Sequence, residues 1–255
     1  MLRRVLFAVG LPVILVTLWW FVSAGSTSFF WPPLRAIVET FPETWLSGRL
    51  LSDVVPSLVR LFIGYGVALA IGIVAGVALG LSRTLRDYAE PTLEFLRAMP
   101  PPVLVPVIML FAGIGDEMKV AVIALGCIWP VLLNTVEGVR AIDEVLADTA
   151  RSYRLSVPTR LMTLVLRSAS PQIVTGARQS LSVGIILMVI SEMFAASNGL
   201  GFAIVQFQRG FEMPEMWSGV LLLGLIGVIL SVIFRAFEAW VLRWYLSIQR
   251  IEQRV

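Results

Sequence analysis

The sequence contains no histidine, one cysteine and one lysine. Without histidine, the chain can build neither a serine–histidine intramembrane protease nor a histidine metal site. Cys127 has no second cysteine to pair with, so an intrachain disulfide is excluded. Lys119 does not follow a glycine-rich phosphate loop, so the chain carries no ATPase site of the Walker type. We therefore expect no catalytic residue, and no metal or cofactor bound by this chain.

Charged residues are also scarce. They make up 15% of the chain, against 58% hydrophobic residues, and the mean hydropathy is +0.87. A soluble domain has roughly a quarter of its residues charged, and a helix needs about 20 apolar residues to cross a bilayer. The sequence predicts an all-α membrane protein, with one domain at 1–255 and six transmembrane helices near 5–24, 56–82, 99–114, 119–138, 172–196 and 215–240.

The basic residues are unevenly divided between the two sides that six spans define. Fifteen of the 20 Lys and Arg fall on the side of the termini, and five fall on the other: Arg35, Arg49, Arg60, Lys119 and Arg209. Loops rich in Lys and Arg stay in the cytoplasm. We therefore predict a multi-pass membrane protein with both termini cytoplasmic. The net charge of +3 then reflects orientation and contact with membrane lipid, and no nucleic-acid partner is expected.

An arginine-rich segment, residues 141–171, separates two apolar runs and keeps helical periodicity. Four residues recur at helical spacing and predict one apolar stripe: Leu146, Ala150, Tyr153 and Val157. Ser156 can cap a second helix that has Pro158 in its first turn, and we expect Pro171 to end that helix. The pattern fits a helical hairpin outside the membrane, and equally a helix lying on lipid headgroups.

The arginine-rich segment resembles the cytoplasmic coupling loop of ABC importer permeases, whose pattern is EAA, three residues, Gly and a downstream I-x-L-P. Asp148-Thr149-Ala150 fall on EAA, and Leu164 and Leu166 fall on the aliphatic positions. Arg154 stands where the glycine is expected, and Arg167 where the proline is expected. Three further stretches resemble permeases of the nitrate/sulfonate/taurine importer family: "LRAMPPPVLVPVIMLFAGIGDEMK", "WPVLLNTVEGVRAID" and "ISEMFAASNGLGFAI".

This resemblance implies the transmembrane domain of a type I ABC importer in the bacterial inner membrane. A homodimer of permeases would form the pathway, an ATP-binding subunit using ATP and Mg would drive it, and a periplasmic or lipid-anchored solute-binding protein would deliver the cargo. The implied cargo is a nitrate/sulfonate/taurine-type anion. A permease for a vitamin or vitamin precursor and a non-transporting membrane scaffold are the alternatives. The resemblance assigns the ATPase contact to Leu146, Asp148, Thr149, Ala150, Arg151, Tyr153, Arg154 and Pro158.

Polar residues within the spans are candidates for the pathway or its gate: Asn134, Ser182 and Glu192. Charges inside a membrane are functional candidates, but Glu192 lies about 28 Å along a helix that starts near Ile173, close to the outer interface. Hydration or a hydrogen bond at the outer mouth, and a role in an outer gate, both remain open for it. Asn134 could line the pathway or bond across helices.

Other polar and small residues are expected to serve the structure. Arg60 begins a span from the outer side and is predicted to extend its guanidinium to the interface. Cys127 is expected to be a small packed residue. Close helix packing is predicted at Gly76, Ser180, Ser182 and Gly184.

Overall fold

The computed structural model describes residues 2–194, 196–245 and 247, with side chains from Gly10 onward, and every regular element in those residues is helical. The helices are α1 (Leu2–Ser23), α2 (Leu34–Trp45), α3 (Val55–Leu81), α4 (Arg83–Ala98), α5 (Val105–Ala112), α6 (Asp116–Arg140), α7 (Glu144–Ser152), α8 (Val157–Arg160), α9 (Leu166–Phe194), α10 (Leu200–Arg209) and α11 (Met213–Val241). One π-helical turn, Leu50–Val54, leads into α3, and another, Leu161–Val165, joins α8 to α9.

The chain divides into two compact units. The first contains Met1–Ser57 and Ser197–Leu225, and the second contains Leu58–Ala196 and Ile226–Val255. The second unit holds the arginine-rich segment and all three candidate pathway residues, so the functional argument concerns this unit.

Four helical stretches are long and apolar enough to cross a membrane: Leu50–Leu81, Asp116–Arg140, Val157–Phe194 and Met213–Val241. The pair Arg83–Ala98 and Pro101–Ala112 would be a fifth span if counted together. In α1, Gly10–Ser23 forms a shorter apolar helix. The all-α membrane class is confirmed, but by length and apolarity the described residues provide four or five spans where the sequence predicted six.

The predicted third span, residues 99–114, is not one straight helix. α4 precedes it, unanticipated, and meets Pro101–Ala112 at a bend of 83°. The break falls at Met99, which is extended (φ −76°, ψ 121°) because the residue before a proline avoids the helical region. A short 3₁₀ turn, Pro101–Leu104, then leads into α5. Consecutive prolines remove the N–H donors that would carry one helix through this region.

In the first unit, two buried polar side chains satisfy the start of α10. The Asp53 carboxylate accepts the N–H of Gly199 at 3.0 Å, and the Ser57 hydroxyl accepts the N–H of Leu200 at 2.9 Å. The first N–H groups of a helix have no partner within it. These two bonds therefore fix the glycine-containing turn in front of α10.

In the second unit, glycines allow α6 to approach α3 and α9 closely. A Cβ added at Gly176 of α9 would lie 2.6 Å from the carbonyl oxygen of Pro130 on α6. Six other glycines leave a similar gap of 2.6–3.0 Å to a neighbouring helix: Gly64, Gly72, Gly76, Gly80, Gly138 and Gly184. Small residues let helix backbones approach where apolar burial gives no driving force, as in a bilayer.

The close helix contacts test the sequence-based predictions of close packing. Gly76 and Gly184 are confirmed as close-packing positions. Ser180 is buried, and its hydroxyl donates to the Cys127 carbonyl oxygen at 2.8 Å. Cys127 is itself fully buried, as predicted. The packing prediction is wrong for Ser182, whose position on α9 is exposed.

Candidate functional site

The arginine-rich segment folds as a short helix, a tight turn and the start of a long helix. Asp143 begins α7, because its Oδ1 atom accepts the N–H of Leu146 at 3.0 Å and replaces a missing helical partner. Asp148 and Arg151 form an ion pair one turn apart on the exposed side of α7. These contacts stabilise a helix of only 9 residues, which is too short to be stable alone.

The turn after α7 places Arg154 in the left-handed region, with φ 50°. The N–H of Leu155 bonds to the Ala150 carbonyl at 3.1 Å, and the N–H of Arg154 bonds to the Arg151 carbonyl at 2.9 Å. This bond pair is the Schellman ending of a helix, which favours glycine at the left-handed position. Arg154 therefore occupies the backbone conformation for which the resembling pattern has glycine, at a cost of about 1–2 kcal/mol.

The second helix begins where the sequence predicted. The Ser156 hydroxyl accepts the N–H of Thr159 at 3.4 Å and lies 2.7 Å from its Oγ1 atom. Pro158 lies in the first turn, where a missing N–H has no consequence. The prediction of a Ser156 cap followed by Pro158 is confirmed.

The prediction that Pro171 ends this helix is wrong. Helical structure continues without a break from Val157 to Phe194. Pro171 removes the N–H that would bond to the Arg167 carbonyl, and the Ser170 hydroxyl donates to that oxygen at 2.8 Å instead. Serine hydroxyls can satisfy backbone groups freed by proline in membrane helices. The arginine-rich segment is therefore joined directly to the span formed by α9.

The arginine-rich segment exposes apolar side chains, which we call its exposed apolar face: Val145, Leu146, Tyr153, Leu155 and Val157. Tyr153 is 77% exposed, whereas Ala150 is 6% exposed. The predicted single stripe is therefore wrong: α7 ends before Tyr153, and Ala150 faces the interior. The other residues assigned to the ATPase contact are exposed: Asp148, Thr149, Arg151, Arg154 and Pro158. Clustered exposed apolar side chains mark interaction sites.

The exposed positions of α9 share one side of the helix. Four of them form what we call the polar face of α9: Gln172, Thr175, Gln179 and Ser182. Their spacing of three, four and three residues keeps them on one side. Asn134 of α6 joins this face by donating its Nδ2 hydrogens to Gln179 Oε1 at 3.3 Å and to the Pro130 carbonyl at 2.8 Å.

A polar face is unexpected on a helix apolar enough to cross a membrane, because polar groups facing lipid are costly. Such a face belongs against water or protein. It brings two candidate pathway residues, Asn134 and Ser182, to one side of the second unit. Gln172, Thr175 and Gln179 were missed in the sequence, although their helical spacing was visible there.

The third candidate, Glu192, lies in a charge cluster that is buried apart from Asp116, and not on the polar face. Its Oε1 atom is 2.7 Å from Nη1 of Arg60, and Arg60 also bonds to Asp116 Oδ1 through Nε and Nη2 at 2.8 Å. Lys119 lies 3.3 Å from the same Asp116 oxygen. Arg60 and Glu192 are 3% and 1% exposed. The predicted snorkelling of Arg60 is therefore wrong, and the Glu192 carboxylate accepts a hydrogen bond from Arg60, which was one of the alternatives for it.

Comparison with protein families and curated proteins gives consistent matches. The model of a family described as "Binding-protein-dependent transport system inner membrane component" matches residues 68–246. The taurine transport system permease protein TauC of Escherichia coli (strain K12) is 29% identical over 254 residues, covering 97% of this chain and 92% of that protein. The putative aliphatic sulfonates transport permease protein SsuC of Bacillus subtilis (strain 168) is 27% identical, covering 92% and 86%. The bicarbonate transport system permease protein CmpB of Synechococcus elongatus is 31% identical, covering 79% and 71%.

The fold also matches a solved structure. The chain is similar to one from the MetNI methionine ABC transporter in inward-facing conformations, with a TM-score of 0.63 and 20% sequence identity. The match covers 78% of this chain and 96% of that chain. At this identity the likeness shows the shared fold alone, and that fold is the type I importer transmembrane domain predicted from the sequence.

Proposed function

Because this chain belongs to the family of binding-protein-dependent transport system inner membrane components, we propose that it moves a small anion inward, driven by a separate ATP-binding subunit. The chain is a permease subunit of an ABC importer and a multi-pass inner-membrane protein. Family membership gives no support to the non-transporting scaffold. The proposal concerns its cargo, its partners and the way in which force reaches the pathway.

The exposed apolar face of the arginine-rich segment is the observation that carries the proposal. Its five large apolar side chains lie on a hairpin whose two helices are both capped, by Asp143 and Ser156. A rigid, partly apolar projection suits insertion into a groove on another protein. We infer that the ATP-binding subunit, using ATP and Mg, supplies that groove on the cytoplasmic side. Both termini then also lie in the cytoplasm.

The continuous helix from Val157 to Phe194 connects this contact to the pathway. The helix has 38 residues, which corresponds to about 57 Å at 1.5 Å per residue. Val157 belongs to the exposed apolar face, and Gln172 to Ser182 form the polar face of α9. A displacement of the hairpin therefore moves the polar face along with it, because one stiff element carries both.

The cargo is inferred from the relatives and the polar face together. The relatives' names specify taurine, aliphatic sulfonates and bicarbonate, all of which carry an anionic group. The polar face offers neutral amide and hydroxyl donors, which can bond to an anion in passing without holding it. We infer a sulfonate-type anion that a periplasmic or lipid-anchored binding protein delivers to a homodimer of this permease. None of these relatives favours a vitamin or vitamin precursor.

A surface variant that should no longer bind the ATP-binding subunit tests this proposal. Tyr153→Asp introduces a charge into the exposed apolar face, and we expect it to abolish both co-purification of the ATP-binding subunit and ATP-dependent taurine uptake into proteoliposomes. Tyr88→Asp is the matched control, since Tyr88 is 82% exposed on α4 and lies outside this face. Full co-purification and uptake with Tyr153→Asp would overturn the proposed docking.

A further inference from the structure

A cavity of about 400 Å³ lies within the second unit, where the ends of α3 and α6 meet α4, α7 and α8. Five arginines line it: Arg83, Arg86, Arg140, Arg151 and Arg160. No carboxylate is among its lining residues, all of which belong to the described part of the chain. Its remaining wall is largely apolar, with Leu81, Val139, Ile142, Leu164 and Val165. The cavity is thus amphiphilic and strongly basic.

Neighbouring carboxylates neutralise these arginines only in part. Three of the five have an ion-pair partner outside the cavity: Arg83 with Asp87 at 3.8 Å, Arg140 with Glu137 at 3.0 Å, and Arg151 with Asp148. Five arginines against three carboxylates leave a local charge of +2. Both members of each pair are exposed, and exposed pairs of this kind are weak. The guanidinium groups can therefore turn toward an anion without a large loss.

We propose that this cavity binds a phosphate-type oxyanion, and that its source is the headgroup of an anionic phospholipid. Arginine presents a planar fork of donors that matches phosphate oxygens. The cavity lies where two membrane-crossing stretches end, at Leu81 and at Arg140. If this side faces the cytoplasm, as the proposed function requires, basic pockets between helices here lie at headgroup depth. The apolar wall suits the glycerol and first acyl carbons of a lipid.

Binding would also affect the arginine-rich segment. Ala147 and Arg151 of α7 line the cavity together with Gly80 and Leu81 at the end of α3. A headgroup held there bridges α7 to the ends of the spans. We therefore expect an anionic lipid to hold the hairpin in position and to increase ATP-driven transport.

The experiment compares the wild-type permease with variants of the cavity, each as the full-length chain in mixed nanodiscs of phosphatidylglycerol and phosphatidylcholine. Native mass spectrometry measures which lipids each protein retains. Arg160→Gln and the double variant Arg86→Gln/Arg160→Gln should each lower the retained ratio of phosphatidylglycerol to phosphatidylcholine, by about fivefold per arginine removed. Arg97→Gln is the matched control, because Arg97 lies on α4 with Arg86 but does not line the cavity. It should retain the wild-type ratio.

A second arm separates the sources of the anion. Inorganic phosphate is titrated against the permease in phosphatidylcholine alone; saturable binding that Arg160→Gln removes would support the oxyanion site with a soluble occupant. Equal lipid ratios in the wild type and both cavity variants, without phosphate binding, would overturn the proposal. Because Arg86 also donates to the Leu79 carbonyl at 3.3 Å, Arg160→Gln alone decides the result if the double variant unfolds. Taurine uptake in phosphatidylcholine is measured separately, so failure here leaves the transport function standing.

Discussion

Arg60 Nη1 lies 2.7 Å from Oε1 of Glu192, and the same guanidinium donates its Nε hydrogen to Asp116 Oδ1 at 2.8 Å. This one side chain therefore joins α3, α6 and α9 within the second unit. Both Arg60 and Glu192 are almost fully buried, so each needs the other to offset its loss of hydration. The cluster lies at the ends of α6 and α9 opposite to the arginine-rich segment, and it fixes how the three helices align.

Glu192→Gln should destabilise the permease strongly. Removal of the Glu192 charge breaks a buried ion pair and leaves the Arg60 guanidinium bonded to the more exposed Asp116 carboxylate; breaking a buried pair costs up to about 3–5 kcal/mol. Arg60→Met should cost a similar amount, whereas the double variant Arg60→Met/Glu192→Gln should recover much of the loss, because neither side chain of the pair then carries a charge. Denaturant unfolding of the detergent-purified chain, analysed as a double-mutant cycle, measures the coupling.

An exposed ion pair serves as the control for this cycle. Arg35 and Glu39 are also 2.7 Å apart, but their side chains are 75% and 62% exposed. Neutralising either one should leave the unfolding midpoint almost unchanged, because solvent screens such pairs. Additive effects of the two buried substitutions, without coupling, would show that Arg60 and Glu192 do not depend on each other.

Gly176→Ala should be destabilising, because the new methyl group would lie 2.6 Å from the Pro130 carbonyl and 2.8 Å from Cβ of Asn134. Separation of α6 and α9 to relieve that contact should cost about 1–3 kcal/mol. Gly66→Ala is the matched control, since nothing lies within 4 Å of its added Cβ, and alanine is favoured over glycine in helices. The melting temperature should fall for Gly176→Ala and hold or rise for Gly66→Ala; equal shifts would contradict the close approach.

Arg154→Gly and Arg154→Val should have opposite effects on the arginine-rich segment. Glycine adopts φ 50° without strain, so Arg154→Gly should keep uptake at or above the wild-type rate. A β-branched residue is a genuine outlier at positive φ, so Arg154→Val should distort the end of α7 and reduce coupling of ATP hydrolysis to uptake. Hydrogen exchange at the N–H of Leu155, bonded to Ala150, reports the turn directly. Faster exchange in the glycine variant than in the valine variant would argue against this account.

Local sequence signals predicted two features correctly. The hydropathy pattern indicated an all-helical membrane protein, and Ser156 followed by Pro158 predicted the start of the second helix. Pro171 misled, because its effect depends on a hydroxyl at Ser170 that replaces the lost donor to Arg167. Proline is tolerated within a membrane helix where a nearby group satisfies the freed carbonyl, and a pattern of residue types does not show that.

Features that depend on tertiary contact could not be predicted from the sequence. Arg60 and Glu192 are 132 positions apart, so no spacing rule connects them, and each was interpreted by itself as an interfacial group. Ser182 was expected to pack because it is small, yet it is exposed while Ser180, two residues earlier, is buried. The helical spacing of Gln172, Thr175, Gln179 and Ser182 was the signal that could have separated the two serines.

The polar face of α9 should set the rate at which the cargo moves. Gln179→Leu and Ser182→Leu each remove donors from this face without touching the buried side of α9, so we expect normal folding and ATPase binding with slower taurine uptake. A hydrogen bond to a charged group contributes about 1.5–3 kcal/mol, which corresponds to a roughly tenfold or larger decrease in rate for each bond lost. Ile186→Leu is the control, because Ile186 is exposed on the same side of α9 but offers no donor. If Gln179→Leu and Ser182→Leu take up taurine as fast as Ile186→Leu does, the pathway lies on a different surface of the second unit.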